Sequence, residues 1–478
     1  MFGSASLGRS YFEQLLNGSL LAGVMAGMRG LVAVSLFAAC IALSAAASSP
    51  VNAQASGARY EGVATCSGST CHGRAEGNGA VVRQDEIATW QEPSSPSGAH
   101  SRAYAVLGSP RSRQIARSLG IGAPTSAAAC LGCHSTYVSQ AARGPRFQTS
   151  DGIGCETCHG PAENWLAAHY AAPATHASNV ANGLKPLERP QTRAKVCLDC
   201  HYGSAKTGQF VTHSMMAAGH PRISFELDLF SALQQHHDED ADYVQRKGRT
   251  DSVRLWAVGQ AEAVRRSTDL FARPKFGMRG AFPEFYFLDC HSCHRTITDG
   301  PTRKLTFESN SGRPIPFGNP PYNDENIIML SAVAKALAPS QANSFIAASR
   351  NFHGSMGKGR GASQKAAVNL RNRAGALSDA LAARGYSGND AFVVIATIAG
   401  KATRPRFTDY AGSVQAVMAV DTLLNALVRE GRITVGAAAS IRGNINRAYA
   451  AVDEPNSYRP AQFRSALSAA AGAIGRLK

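Results

Sequence analysis

No apolar stretch beyond Ala47 approaches the length of a membrane span, which excludes a multi-span membrane protein. Charged residues are few, 17% against 44% hydrophobic, and that balance excludes a wholly disordered chain. Aromatic residues are sparse at 7%, whereas glycine and alanine abound. Acidic residues are in deficit, 33 against 49 basic ones, giving a formal charge of +16. Lysine supplies only 11 of those 49, so the excess is mostly arginine, a side chain suited to gripping carboxylate or phosphate bidentately. The raw charge points to nucleic acid or another anionic surface. At 478 residues the chain has room for two or three domains and a sizeable core.

The long apolar run LVAVSLFAACIALSAAA, Leu31 to Ala47, follows Met28-Arg29 and precedes Val51-Asn52-Ala53-Gln54-Ala55. A positive residue, an apolar core and a small-x-small ending read as a secretory signal peptide over residues 1–55, with Met25 or Met28 as its start. An uncleaved membrane anchor is the rival reading. Cys40 lies inside the run and leaves with the signal.

The other ten cysteines fall in five pairs: Cys66/Cys71, Cys130/Cys133, Cys155/Cys158, Cys197/Cys200 and Cys290/Cys293. Each pair is followed at once by histidine: His72, His134, His159, His201 and His294. Four read C-x-x-C-H; the first, CSGSTCH, has a longer spacer that calls for a bulge, which Gly68 could supply. For this composition, roughly 0.007 chance copies of the strict motif are expected, so four are a strong signal. The spacing suits covalent haem: two thiols add across the porphyrin vinyl groups, and the next imidazole lies under the iron. Zinc knuckles would not require histidine after every pair, and adjacent-cysteine disulfides close no useful loop. Five covalently bound haem c groups, with iron, are therefore expected.

Nine histidines remain for the second face of each iron: His100, His169, His176, His213, His220, His236, His237, His291 and His353. Of nine methionines three precede residue 30, so histidine on both faces is the simpler expectation, with lower potentials than His/Met ligation. His213 and His220, seven apart in THSMMAAGHP, would share a helical face ended by Pro221 and could cap two neighbouring haems. His169 sits too far along its helix from His159 to cap its own motif's haem and suits another. His100 is a further candidate, and one of His236 and His237 reads as a ligand. His291 reads as a spacer residue, and His176 and His353 as bystanders.

These residues resemble the cytochrome c-554 / c-prime family, the tetrahaem cytochrome of ammonia oxidisers. The resemblance runs from about Tyr60 to Arg295 and rests on YEGVATC, Trp90 before His100, DGIGCETCHGP, HSMMAAGHPRISFEL and FYFLDCHSCH. It implies periplasmic electron transfer by closely stacked, mostly bis-histidine haems, with distal roles on His100, His169, His213 and His220. Five motifs, a wide gap from the fourth to the fifth, and a large C-terminal region depart from that pattern.

The expected fold is mainly α: a pentahaem domain over residues 56–308 with little regular sheet, a Pro/Gly/Asn linker over 309–326, and a C-terminal helical bundle over 327–478. Val253, Trp256, Ala257, Gln260, Val264 and Leu270 follow helical spacing and form a core face. The bundle reads either as a docking or oligomerisation module or as a packing extension over the haem domain.

The expected function is that of an electron carrier between periplasmic or membrane redox proteins acidic at their docking face, with no nucleic acid and no organic substrate. The alternative is an oxidoreductase acting on a small nitrogen or sulfur species at one five-coordinate haem, with the CSGSTCH site as candidate. Removing residues 1–53 (two Arg, one Glu) leaves +15. Five ferric haems with ionised propionates, about −1 each, bring this to roughly +10. Much of the arginine excess then pairs with propionates. Mass spectrometry of the exported protein is expected to place its N-terminus after Ala53 or Ala55; retention of residues 31–47 would favour the anchor.

Overall fold

Apolar residues recur at helical spacing through the C-terminal half of the chain, and there the structure, a computed structural model, builds its core. It describes residues 57–77, 83–222, 224–277, 283–294, 313–316, 319–402 and 410–478. The expected signal segment, Cys40 and all of residues 295–312 lie outside these. The helices of 12 residues or more are α1 (Pro190–His201), α2 (Ser252–Ala272), α3 (Glu325–Leu337), α4 (Pro339–Ser355), α5 (Arg360–Ala383), α6 (Gly388–Ala402), α7 (Tyr410–Arg429), α8 (Val435–Ala451) and α9 (Pro460–Gly475). Among the described residues no sheet forms, only the isolated bridges Tyr60–Arg143 and Leu288–Tyr322, so the fold is mainly α.

Helix α2 is the axis of this core. The Asp251 side chain accepts from the Arg254 amide at 2.7 Å, satisfying a free donor of its first turn. It packs along α5 and also meets α1, α3 and α7. All six residues of its expected core face are buried, but so are Leu255, Val258, Ala261 and Ala263, because α2 is covered on nearly every side. Trp256, fully buried, alone contributes on the order of 3 kcal/mol by removing its apolar surface from water. Sequence periodicity indicates one face; tertiary packing closes the rest.

Helix α7 corrects the expectation that nothing after Ala47 is of membrane-spanning length. It is 20 residues long and holds an 18-residue stretch of mean hydropathy 1.4, long and apolar enough to cross a membrane, but it lies buried in the core against α3, α6 and α8. Pro460 stands in the first turn of α9 and Gly431 (φ 67°) follows α7, as their residue types favour.

Residues 58–478 form one compact unit, and one apolar cluster runs within it from Ala194 to Ile474. A buried amide ladder crosses it: Asn326 donates to Gln260 at 2.7 Å, Gln260 to Gln415 at 3.1 Å, and Gln415 to the Phe225 carbonyl at 3.1 Å. Before Ala194 the chain runs through short helices and turns with few buried apolar residues.

Glu226 and Asp228 lie buried where the short helix Leu227–Leu233 meets α7, Asp228 accepting from the Thr422 hydroxyl at 2.9 Å. Burial raises both carboxyls, Glu226 further because Asp228 is beside it. Such groups hold protons in the native state that the unfolded chain releases above about pH 4.3, so their contribution to stability declines as pH rises. Glu226→Gln is therefore expected to flatten the loss of thermal stability from pH 5 to pH 9. An unchanged slope in calorimetry would show that Glu226 is ionised in the native protein.

Candidate functional site

In a C-x-x-C-H segment wound as one helical turn, residues i, i+3 and i+4 share a face, so both thiols and the imidazole point the same way. The second motif lies on Ala128–His134, the third on Cys155–His159 and the fourth at the end of α1. The fifth is a turn in which the His294 amide donates to the Cys290 carbonyl at 2.8 Å. In the first, Cys66 ends the helix Val63–Cys66 and the longer spacer folds back until the His72 amide reaches the Cys66 carbonyl at 3.1 Å.

The expectation for Gly68 needs correcting. Its carbonyl closes the turn by accepting from the Cys71 and Gly73 amides, but its φ is not left-handed, and an added Cβ would make ordinary contact with Cys71 Sγ at 3.6 Å. The residue that must be glycine is Gly73, where a Cβ would meet the Ser67 carbonyl oxygen at 2.0 Å.

Each motif histidine faces a second histidine across a gap. The ring centres are 6.0 Å apart for His72 and His169, 6.2 Å for His134 and His220, 6.1 Å for His159 and His236, 6.1 Å for His201 and His100, and 6.2 Å for His294 and His213. His169 thus faces the first motif rather than its own. His213 and His220 face different motifs, but they do not share a continuous helix. The helix His213–Ala217 is capped at Ala218 and followed by Gly219 (φ 109°), ahead of His220, so the turn rather than Pro221 breaks it.

His237 lies against His236 at 5.1 Å and stacks on Tyr243 instead of facing a motif. His176 is engaged through Nε2 by Glu188 at 3.0 Å, and His353 through Nε2 by Asp324 at 3.1 Å. His291 Nδ1 donates to the Pro455 carbonyl at 2.8 Å.

Nδ1 of His134 donates to the Ala103 carbonyl at 2.8 Å, that of His220 to Pro221 at 2.8 Å and that of His236 to Gln234 at 2.9 Å. A carbonyl only accepts, so Nδ1 of each ring carries a proton, which leaves Nε2 as the nitrogen that could bind a metal. Nδ1 of His72 donates to Glu86 Oε2 at 2.9 Å. Burial lowers His100, His169 and His220, takes His201 down to about 4 and His159 to about 3, keeping these imidazoles neutral as metal ligation requires.

Four of the pairs open into one cavity of about 2390 Å³, far above the roughly 300–1,000 Å³ of a small-ligand pocket. The cavity is also lined by Arg193, Lys185 and Lys247. Among the described residues the cysteines form no disulfide. The motifs meet one another directly: helix Val63–Cys66 packs on helix Cys155–His159, and the Cys200 thiol donates to the Gly132 carbonyl at 3.9 Å. Glu156, inside the third motif, ties it to the first by accepting from the Glu61 and Gly62 amides at 2.8 and 2.7 Å.

Cys293 is placed differently from most of the motif cysteines. It is exposed, unlike the eight half-buried motif cysteines, and neither it nor Cys290 lines the shared cavity. The reason lies in the local fold: the fifth motif is a turn rather than a helix, closed by the Ser292 amide donating to Asp289 at 2.6 Å. That turn leaves the Cys293 thiol exposed, 3.8 Å from the Ser292 hydroxyl. The structure therefore places the fifth site apart, with His213 and His294 facing each other but Cys293 unsheltered. Cys71, at the end of the long first spacer, is also exposed, yet it does line the cavity.

Among the described residues no three of His, Cys, Asp or Glu converge as chelating ligands, the wrong arrangement for zinc. Two facing nitrogens with about 2 Å to a metal on each side put ring centres a little over 6 Å apart. The pairs therefore fit an iron whose other four ligands come from a porphyrin.

These features resemble those of the multihaem c-type cytochromes. The comparison with protein families agrees: residues 65–160 match the model of cytochrome c554 and c-prime, and the chain is similar to that family there. The matched stretch holds the first three motifs and supports covalently bound haem c and a part in electron transport. No curated protein and no solved structure matches the chain.

Sequence reasoning missed Glu86, which carries no motif signal, and the roles of Glu156 and Gly73, which lie inside or beside a motif as residues its chemistry does not require. Gly73→Ala is expected to lower the mass of the purified protein by one haem while Gly68→Ala keeps full loading. Equal loading in both variants would count against the close approach at Gly73.

Proposed function

We propose that the protein is an exported, periplasmic pentahaem cytochrome that carries single electrons between redox partners. The observation behind this reading is that all five motif histidines face a second imidazole at 6.0–6.2 Å. His72, His134, His159, His201 and His294 serve as proximal ligands, and His169, His220, His236, His100 and His213 as their respective distal ligands. The ten motif cysteines anchor the porphyrins, with Cys293 holding its haem at the surface rather than inside the shared cavity. Bound haem c supplies a one-electron ferric/ferrous couple, and nitrogen on both faces favours the ferric state. Arg193, Lys185 and Lys247 supply cations for the propionates. Expected partners are redox proteins acidic at their docking face.

Contacts between motifs support a spatial order. The helix that ends in Cys66 packs on the helix of the third motif, and the Cys200 thiol of the fourth donates to the Gly132 carbonyl of the second at 3.9 Å. The helix of the third motif also packs on α1, which carries the fourth. The fifth follows the second, because His213 and His220 lie on one short segment and Arg222 donates to Cys290 Sγ at 3.3 Å. Electrons would pass in the order first, third, fourth, second, fifth, in either direction.

The rival reading needs an iron with one face open to substrate. The facing pairs weigh against it, including at CSGSTCH, where His169 faces His72. Haem quantitation and EPR of the holoprotein test this: five low-spin haems are expected. A sizeable high-spin signal that shifts on adding nitrite, cyanide or carbon monoxide would overturn the carrier. His220→Met is expected to make one haem's potential more positive with all five haems retained. Five unmoved potentials would remove His220 as a ligand.

A further inference from the structure

We propose that Glu86 makes the haem of the first motif the lowest-potential centre of the five, by withdrawing the Nδ1 proton of His72 and rendering that ligand more anionic. The inference rests on the bis-histidine reading above and adds a ranking of the sites. An imidazole that donates to a carboxylate is more basic at its other nitrogen and stabilises ferric over ferrous iron.

The carboxylate is held in place from several sides. Glu86 Oε2 accepts from His72 Nδ1 at 2.9 Å, and Oε1 accepts from the Gln84 amide at 3.2 Å. The Ile87 amide donates to the His72 carbonyl at 3.1 Å, pinning the same helix turn to the ligand's backbone. Gln84 is held to the segment just beyond the motif, its carbonyl accepting from the Arg74 amide at 2.8 Å and its side chain from the Arg74 guanidinium at 2.9 Å. Among the described residues Gln84 is the one non-glycine residue with a left-handed φ, at 68°. Backbone strain of this kind persists where surrounding contacts over-determine it, and it clusters at functional sites. The nearby Arg83 pairs with Asp85 at 2.9 Å rather than with Glu86. Glu86 itself is largely buried, so solvent screens its charge little.

The other motif histidines differ. His134 donates to a neutral carbonyl. The His201 ring is packed between Phe225 at 5.0 Å and Phe230 at 5.2 Å. Among the described residues the remaining histidine–carboxylate pairs are His176–Glu188 and His353–Asp324, outside every motif. The first motif also stands at one end of the order given above. A lowest-potential centre there makes it the point of entry, with transfer downhill toward the fifth.

A potentiometric titration of the holoprotein, followed optically with haems counted by mass, tests the ranking. His169→Met marks the first haem by raising its midpoint. Glu86→Gln keeps an acceptor but removes the charge, and is expected to raise that same midpoint; Glu86→Ala is expected to raise it further. The other four midpoints stay in place. If Glu86→Gln carries five low-spin haems and leaves the marked midpoint unmoved, or if the marked midpoint is not the lowest in the parent protein, the inference is overturned. A parent protein with fewer than five haems, or with a high-spin iron at the first motif, would instead overturn the bis-histidine reading and this ranking with it.

Discussion

Two imidazoles whose centres stand 6 Å apart do not touch, and five such pairs set the architecture of the cysteine-bearing part of the chain. The spacing is the one that the proposed ligation of an iron between the two rings would require. It explains why this region is built of short helices around a cavity, while the rest of the chain packs side chain against side chain.

That division also explains the scarcity of aromatic residues. Four of the five pairs surround a common space where an ordinary domain has its core, and the porphyrins are the large flat apolar bodies that fit there. The long helices close around α2, and their amide ladder ends on the Phe225 carbonyl, beside the ring that packs on His201. The C-terminal helices and the cofactor region are thus joined through buried polar contacts as well as apolar ones.

The motifs were legible from spacing because their chemistry is local: a cysteine pair and the next residue need one helical turn. Their surroundings were not, since Cys293 and Cys200 read alike in sequence while one is exposed and the other lines the cavity. Distal histidines could be named as residue types in excess, but not matched to motifs. His169 faces His72 across 97 positions of sequence, and nothing in a one-dimensional pattern carries that distance. Choosing His236 over its neighbour depended on the Gln234 carbonyl that orients one ring, a contact made by backbone rather than by a motif. Glu86 was invisible for a similar reason: a glutamate in EIATWQ reads as an ordinary first-turn acid. The length and apolarity of α7 describe a core helix and a membrane helix equally well until neighbours are seen.

The direction in which the pairs span the sequence bears on how the protein is assembled. With the proposed pairing, the first three motifs take their second imidazole from downstream, at His169, His220 and His236, while the fourth and fifth take theirs from upstream, at His100 and His213. A chain crossing a membrane N-terminus first would deliver the early motifs before their partners. On the proposed export route those three sites would stay half-built during translocation, and the last two would meet a partner already waiting. Closure of the third site at His236 would then follow arrival of the fourth motif, so that ligation would run back and forth along the chain and lock the early segments only after much of the molecule had emerged.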